Sequence, residues 1–169
     1  MPLSLYQASV PVFVRTLRNL RAILEKGAAH ATQRKIDESV LLGARLFPDM
    51  LPLTFQVQVV TDMARGGAAR LAGQEPPKFE DNETTFAQLI DRIDRTLKYL
   101  EGLGEPAFEG ADGRSITRPL RGKDHTFTAR NYLQQFILPN LYFHASVAYG
   151  LLRHNGVELG KRDWLGELD

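Results

Sequence analysis

Four stretches of the chain repeat apolar residues at three- and four-residue spacing, the period of an amphipathic helix. In the first, Val10, Phe13, Leu17, Leu20 and Leu24 form the stripe, which predicts a helix from Leu5 to Lys26, delayed or bent by Pro11 and stopped by Gly27. A short helical piece over Asp37–Leu46 follows. Pro48 and Pro52 then break the chain, and Pro52 opens a second helix that ends near Gly73. Its apolar residues, among them Leu53, Phe55, Val57, Val60, Met63 and Leu71, cover more than half of the helical circumference, so this helix is expected at the centre. Beyond Pro76 and Pro77, the cleanest stripe (Phe86, Ile90, Ile93, Leu97, Leu100) predicts a third helix over Glu83–Leu103, started by Asp81 or Asn82.

Helical period is lost over residues 104–128. There SITRPLRGKDHTFT reads as a small hairpin turning at Gly122 and Lys123, with Pro119 confining it to an edge. Thr128 can cap a fourth helix that runs to His154, kinks at Pro139 and stops at Asn155 and Gly156. Trp164 and Leu165 in the tail are large apolar groups and are expected to pack on the bundle. Residues 1–169 thus read as one all-α domain, a four-helix bundle with a crossover connection and a hairpin excursion before the last helix.

Polar residues interrupt the predicted core. On a helical wheel the fourth helix places Leu133, Phe136, Ile137, Phe143, Val147 and Leu151 on one face with Asn140 and His144 at its centre. The second helix places Gln56 between Val60 and Met63. Tyr6 lies on the first stripe, so its hydroxyl could join Gln56, Asn140 and His144. Gln58, Asp62 and Arg65 fall on the polar face of the second helix and are expected to be solvated. Tyr142 and Tyr149 lie opposite the core stripe, where the hairpin or a partner subunit could cover them. Gly66 and Gly67 suit close packing or a kink.

Composition removes most function classes. With 21 Lys and Arg against 20 Asp and Glu, the net charge of +1 advertises neither nucleic acid nor an anionic membrane. The absence of cysteine removes disulfides, thiolate metal sites and a cysteine nucleophile, and suits a cytoplasmic protein. No apolar run approaches the ~18 residues of a membrane span, and no basic segment precedes an apolar block as in a secretory signal. A GxSxG elbow and a glycine-rich phosphate loop are both lacking.

His144 carries the remaining chemistry. It reads as a core histidine satisfied by Asn140 or Gln56, as a base or hydrogen-bonding partner in a small-molecule pocket, or as a metal ligand. One imidazole with two amides is a poor donor set for a transition ion. His154 lies ten residues further on and cannot share an ion with His144. His30 and His125 read as exposed.

Residues 140–166, NLYFHASVAYGLLRHNGVELGKRDWLG, resemble the carboxy-terminal signature of an uncharacterised bacterial domain family in the DinB/YfiT-like superfamily. DESVLLGARLFPDMLPLTFQVQ (37–58), DNETTFAQLIDRI (81–93) and LRGKDHTFTARNYLQQFILPN (120–140) support it. The resemblance implies a four-helix bundle, commonly homodimeric, in which one histidine from the second helix and an HxxxH pair from the fourth hold a divalent metal such as zinc or nickel. Some members are thiol-dependent transferases or isomerases. In this chain Asn140 takes the first-histidine place, His144 the second, and Gln56 is the best match to the helix-two ligand. The expectation is a degenerate metal-site pocket of Gln56, Asn140, His144 and Tyr6, in which His144 would be the catalytic base or lone metal ligand and a small molecule the partner. The alternatives are a non-catalytic structural or interaction bundle, and a metal-dependent transferase or hydrolase completed by water or by a tail carboxylate such as Asp163.

Overall fold

Proline and glycine decide where the helices begin and end in the computed structural model, which describes residues 3–120 and 122–167. Helix α1 spans Val10–Arg34, with Pro11 in its first turn, where a missing N–H costs nothing. It passes straight through Gly27 and ends at Lys35, in the left-handed conformation with φ 53°. Gly27 is therefore a contact residue and not the stop expected of it. A Cβ there would come within 3.1 Å of the Phe86 ring and 3.2 Å of Leu152, so its absence lets three helices converge.

Helix α2, Glu38–Leu42, is capped by Asp37, whose carboxylate accepts the Ser39 N–H at 2.9 Å, and it stops at Gly43, short of the predicted Leu46. Helix α3, Leu53–Leu71, follows Pro52 as anticipated. Helix α4, Phe86–Glu101, starts later than predicted, at a capping box of Thr85 and Gln88. The predicted starters are otherwise engaged, Asp81 with Arg92 and Asn82 with Glu80, and Glu83, the predicted first residue, also binds Arg92.

Two 3-10 turns lead to the hairpin of β1, Ser115–Leu120, and β2, Lys123–Thr128, paired from Ser115↔Thr128 to Leu120↔Lys123. Gly122, at φ 77°, lies in the turn as expected, whereas Lys123, expected beside it, pairs with Leu120 in the ladder. Thr128 caps helix α5, Ala129–Asn131, and a π-helical turn over Tyr132–Ile137 joins it to helix α6, Leu138–His154. Pro139, where a kink was expected, stands in the first turn of α6, directly after this wide turn. Helix α7, Lys161–Leu165, lies on α1, where Arg15 donates to the Leu165 carbonyl at 2.8 Å and Asn19 to that of Trp164 at 3.0 Å.

Pairings between α1, α3, α4 and α6 fix their directions. Arg21 meets Asp94 and Arg18 meets Glu101, so α1 and α4 are antiparallel. Gln56 meets His144 and Gly67 meets Ile137, so α3 and α6 are antiparallel as well. Thr61 meets Arg92 and Arg65 shares the Phe79 ring with Arg95, so α3 and α4 run parallel. A parallel pair needs a crossover, and residues 72–85 supply it as a strap running back along α4, earlier in the chain than the excursion expected to permit one.

Arg92 pins that strap. Its guanidinium has no exposed surface and is fully used. Nε donates to the Thr61 hydroxyl at 2.7 Å, Nη1 to the Glu80 carbonyl at 2.9 Å and Glu83 at 3.0 Å, and Nη2 to Asp62 at 2.8 Å. Asp81 adds a carboxylate at 2.9 Å from Nη2. Among the described residues no helix is long and apolar enough to cross a membrane.

Candidate functional site

Helix α6 turns Leu141, Ala145, Val147, Ala148, Leu151 and Leu152 into the core. Leu133, Ile137, Val147 and Leu151 of the predicted face are buried as expected, and the buried surface extends from them around the helix to Ala145. Phe143, assigned to the core, is 56 % exposed. Asn140 and His144, expected at the centre of the face, lie half-buried at its edge. Two large aromatic residues weighted the predicted face, whereas two alanines occupy the real one, because α3 approaches α6 closely. Gly67 is part of that approach, since a Cβ there would sit 2.9 Å from Ile137 Cγ2.

The structure brings Gln56 and His144 together. Gln56, 3 % exposed, donates from Nε2 to the Leu51 carbonyl at 2.8 Å and turns Oε1 to His144 Nδ1 at 2.7 Å. A carbonyl oxygen can only accept, so Nδ1 holds the proton and Nε2 keeps a lone pair. Burial pushes the imidazole below its ordinary pKa, which keeps it neutral near pH 7. Phe143 meets the ring edge-on at 5.1 Å, and Phe55 at 6.3 Å. The result is an oriented neutral imidazole with one basic nitrogen, bordered by Phe55 and by the exposed ring of Phe143.

Asn140 and Tyr6 do not complete that pair. Asn140 donates from Nδ2 to the Phe136 carbonyl of its own helix at 2.6 Å. Tyr6 packs edge-on against Phe108 at 5.4 Å, beyond the carboxyl end of α4, whereas Gln56 sits near the amino end of α3, which runs parallel to α4. Among the described residues no hydrogen bond joins Tyr6 to Gln56, Asn140 or His144.

These side chains do not fit a divalent metal. Gln56 spends both of its amide atoms, one imidazole nitrogen and the neutral amide oxygen of Asn140 are too weak a donor set, and among the described residues no group of three or more His, Asp or Glu could hold an ion. Asp163, the tail carboxylate, is committed to Lys26 at 2.6 Å and to the Gly160 N–H at 2.7 Å. The Lys26 hydrogen bond, aided by that N–H, holds its carboxyl below the usual range. His125 is exposed as expected and His154 is exposed too, but His30, expected to be exposed in a link, is half-buried and belongs to α1.

Because the folded imidazole has the lower pKa, the unfolded chain binds its proton first as the pH falls. The stability contributed by neutral His144 is complete above the unfolded value of ~6.5 and declines as pH drops from there through the folded pKa. Thermal unfolding between pH 7.5 and 5 is expected to show this decline in the native chain. It should be flattened in His144→Gln, and equal slopes would contradict the assignment.

The sequence reading missed a second polar centre. Gln58 and Arg65, expected in solvent, are 7 % and 6 % exposed. Gln58 donates to Glu83 at 2.8 Å, and Arg65 donates to Asp62 at 2.7 Å while its guanidinium stacks 3.9 Å from the Phe79 ring centre. The signal available was the acidic run Glu80, Asp81 and Glu83 in the link, which needs cations from helices on either side.

Residues 5–165 match the family described as a domain of unknown function, DUF1993. The chain is similar to a solved structure of a DinB family member protein from Shewanella denitrificans, at 46 % identity and a TM-score of 0.91, over 97 % of this chain and 93 % of that one. No curated protein matches.

Proposed function

The chain belongs to the DUF1993 family, on a DinB-like helical bundle, and from that premise we propose that it binds a small molecule, without a metal, at the imidazole of His144. The observation that carries the reading is the 2.7 Å bond from His144 Nδ1 to a Gln56 amide that is itself fixed by Leu51. It leaves Nε2 as the acceptor for a ligand hydroxyl or N–H, and as a base if the ligand has a proton to give. Phe55 and Phe143 would cover the apolar part of such a ligand. Gln56 is the orienting residue, and Asn140 shapes the helix behind it.

Elemental analysis of tag-free protein, before and after dialysis against zinc and nickel, is expected to find far less than one ion per chain. Near-stoichiometric metal lost in His144→Ala would overturn the metal-free reading. A thermal-shift screen of small polar compounds should yield stabilisers of the native chain that fail on folded His144→Ala. Compounds acting equally on both would remove His144 from the site.

A structural reading is favoured by one feature, since the same bond ties α6 to α3 and to the loop at Leu51. It predicts a loss of about 1–3 kcal/mol in His144→Leu, from the buried Gln56 acceptor left unpaired, with no compound that distinguishes the two proteins.

A further inference from the structure

Arg65 is a charged group with nowhere to spend its hydrogen bonds. Its side chain is 7 % exposed, and Nη2 reaches Asp62. Nε and Nη1 are buried without an acceptor among the described residues. Leaving a buried donor unsatisfied costs about 1–3 kcal/mol, and more for a charged group, so these two need an answering oxygen. Stacking on Phe79 covers a face of the guanidinium, and its unpartnered in-plane N–H groups have almost no open surface, so an oxygen reaches them as the side chains lining the neighbouring cavity move apart.

Arg65 lines a cavity of about 180 Å³ together with Arg70, Arg118, Tyr132 and Asp62. Arg118 reaches it from β1, and its Nε is likewise buried without a partner. Arg70 is folded back so that Nη1 donates to the Gly66 carbonyl at 2.9 Å. A Cβ on Gly66 would stand 2.6 Å from that nitrogen, so the glycine makes room for this arginine. Burial raises the pKa of the Tyr132 hydroxyl, which keeps it a donor. Burial also lowers that of Arg65, the direction expected of a guanidinium awaiting a counter-charge. Asp62 is shared with the buried Arg92, so it cannot neutralise three further guanidiniums.

The geometry points to this cavity, between α3, the hairpin and the π turn, as a binding site for a small tetrahedral dianion: inorganic phosphate or the phosphoryl group of a small phosphomonoester. Arginine forks on two sides match phosphate oxygens. At about 180 Å³ the space is below the ~300–1,000 Å³ of a typical small-molecule pocket, which suits a phosphoryl group and excludes a whole nucleotide. No metal is required. The site is separate from His144, so either assignment can fail without the other.

Calorimetric titration at constant ionic strength, balanced with sodium chloride, tests it with inorganic phosphate and with glycerol phosphate as probes. The expected result is one saturable site per chain, weakened at least tenfold in Arg118→Gln and in Arg65→Lys. Arg65→Lys keeps a positive charge and loses the fork. Arg70→Gln replaces either variant that fails to fold. Tighter binding of the ester would identify a phosphorylated metabolite as the occupant, and equal binding would identify free phosphate. Absence of a saturable isotherm, or binding undiminished in the folded variants, overturns the proposal.

Discussion

Replacing Arg92 by leucine is expected to cost the bundle about 3–5 kcal/mol, the range for removing one partner from a buried ion pair. Urea unfolding of the native and variant chains measures it directly. The guanidinium is fully buried and Glu83, one of its carboxylates, has a side chain 3 % exposed, so the variant strands a charge in the interior. It also releases the strap at Glu80, Asp81 and Glu83 together. Asp81→Asn supplies the contrast, because that carboxylate is 57 % exposed and its loss is expected to cost at most ~1 kcal/mol. A loss in Arg92→Leu as small as in Asp81→Asn would show that the cluster carries no stability.

The same cluster gives the fold an acid limit. Burial alone would raise the Glu83 carboxyl, but hydrogen bonds from Gln58 and Arg92 outweigh it and hold the group below its usual pKa. A depressed carboxyl contributes its full stability above the unfolded value of ~4.3 and loses it as pH falls through the folded pKa. Acid unfolding of Glu83→Gln is expected to be correspondingly shallower.

Gly67→Val is expected to destabilise by about 1–3 kcal/mol, as overpacking of a closely fitted core does. The β-carbon alone would sit 2.9 Å from Ile137 Cγ2, an atom on a branched side chain that is itself buried and cannot swing away. Gly150→Ala, in α6 with nothing within 4 Å of the new carbon, is expected to gain up to ~1 kcal/mol from helix propensity. Thermal unfolding of the two variants should move the midpoint in opposite directions. A neutral Gly67→Val would mean that α3 and α6 can separate freely.

The stripes in the sequence were sufficient to locate the four helices, the hairpin and the inward turn of Gln56, because apolar periodicity reports which face is buried. They were blind to packing distance. At Gly27 and Gly67 a glycine marks helices in contact, and the former reads as a terminator until Phe86 and Leu152 are in place beside it. Ala145 and Ala148 carry little hydrophobic weight, yet a close approach puts them inside and leaves Phe143 outside. Arg65 and Arg92 were illegible for another reason. Their burial depends on Asp62, read as solvated, and on Phe79, Asp81 and Glu83 from a link without period, and no pattern within one helix shows what the link brings. Tyr6 was misplaced because the first stripe was carried back to Leu5, whereas residues 5–9 form a turn before α1, and because a stripe does not show which end of the bundle a residue reaches.

The π turn at Tyr132–Ile137 holds one residue more than an α-helix would use for the same rise. Deleting a single residue there would restore the regular ladder and swing everything before it by about 100° around the helix axis. Tyr132 and the hairpin that follows its rotation would then face a different side of α3. The aim of the whole hairpin over the bundle is thus set by a residue count, and an insertion or deletion in this turn, which removes no charged group, would be enough to carry Arg118 and Tyr132 away from Arg65 and Arg70.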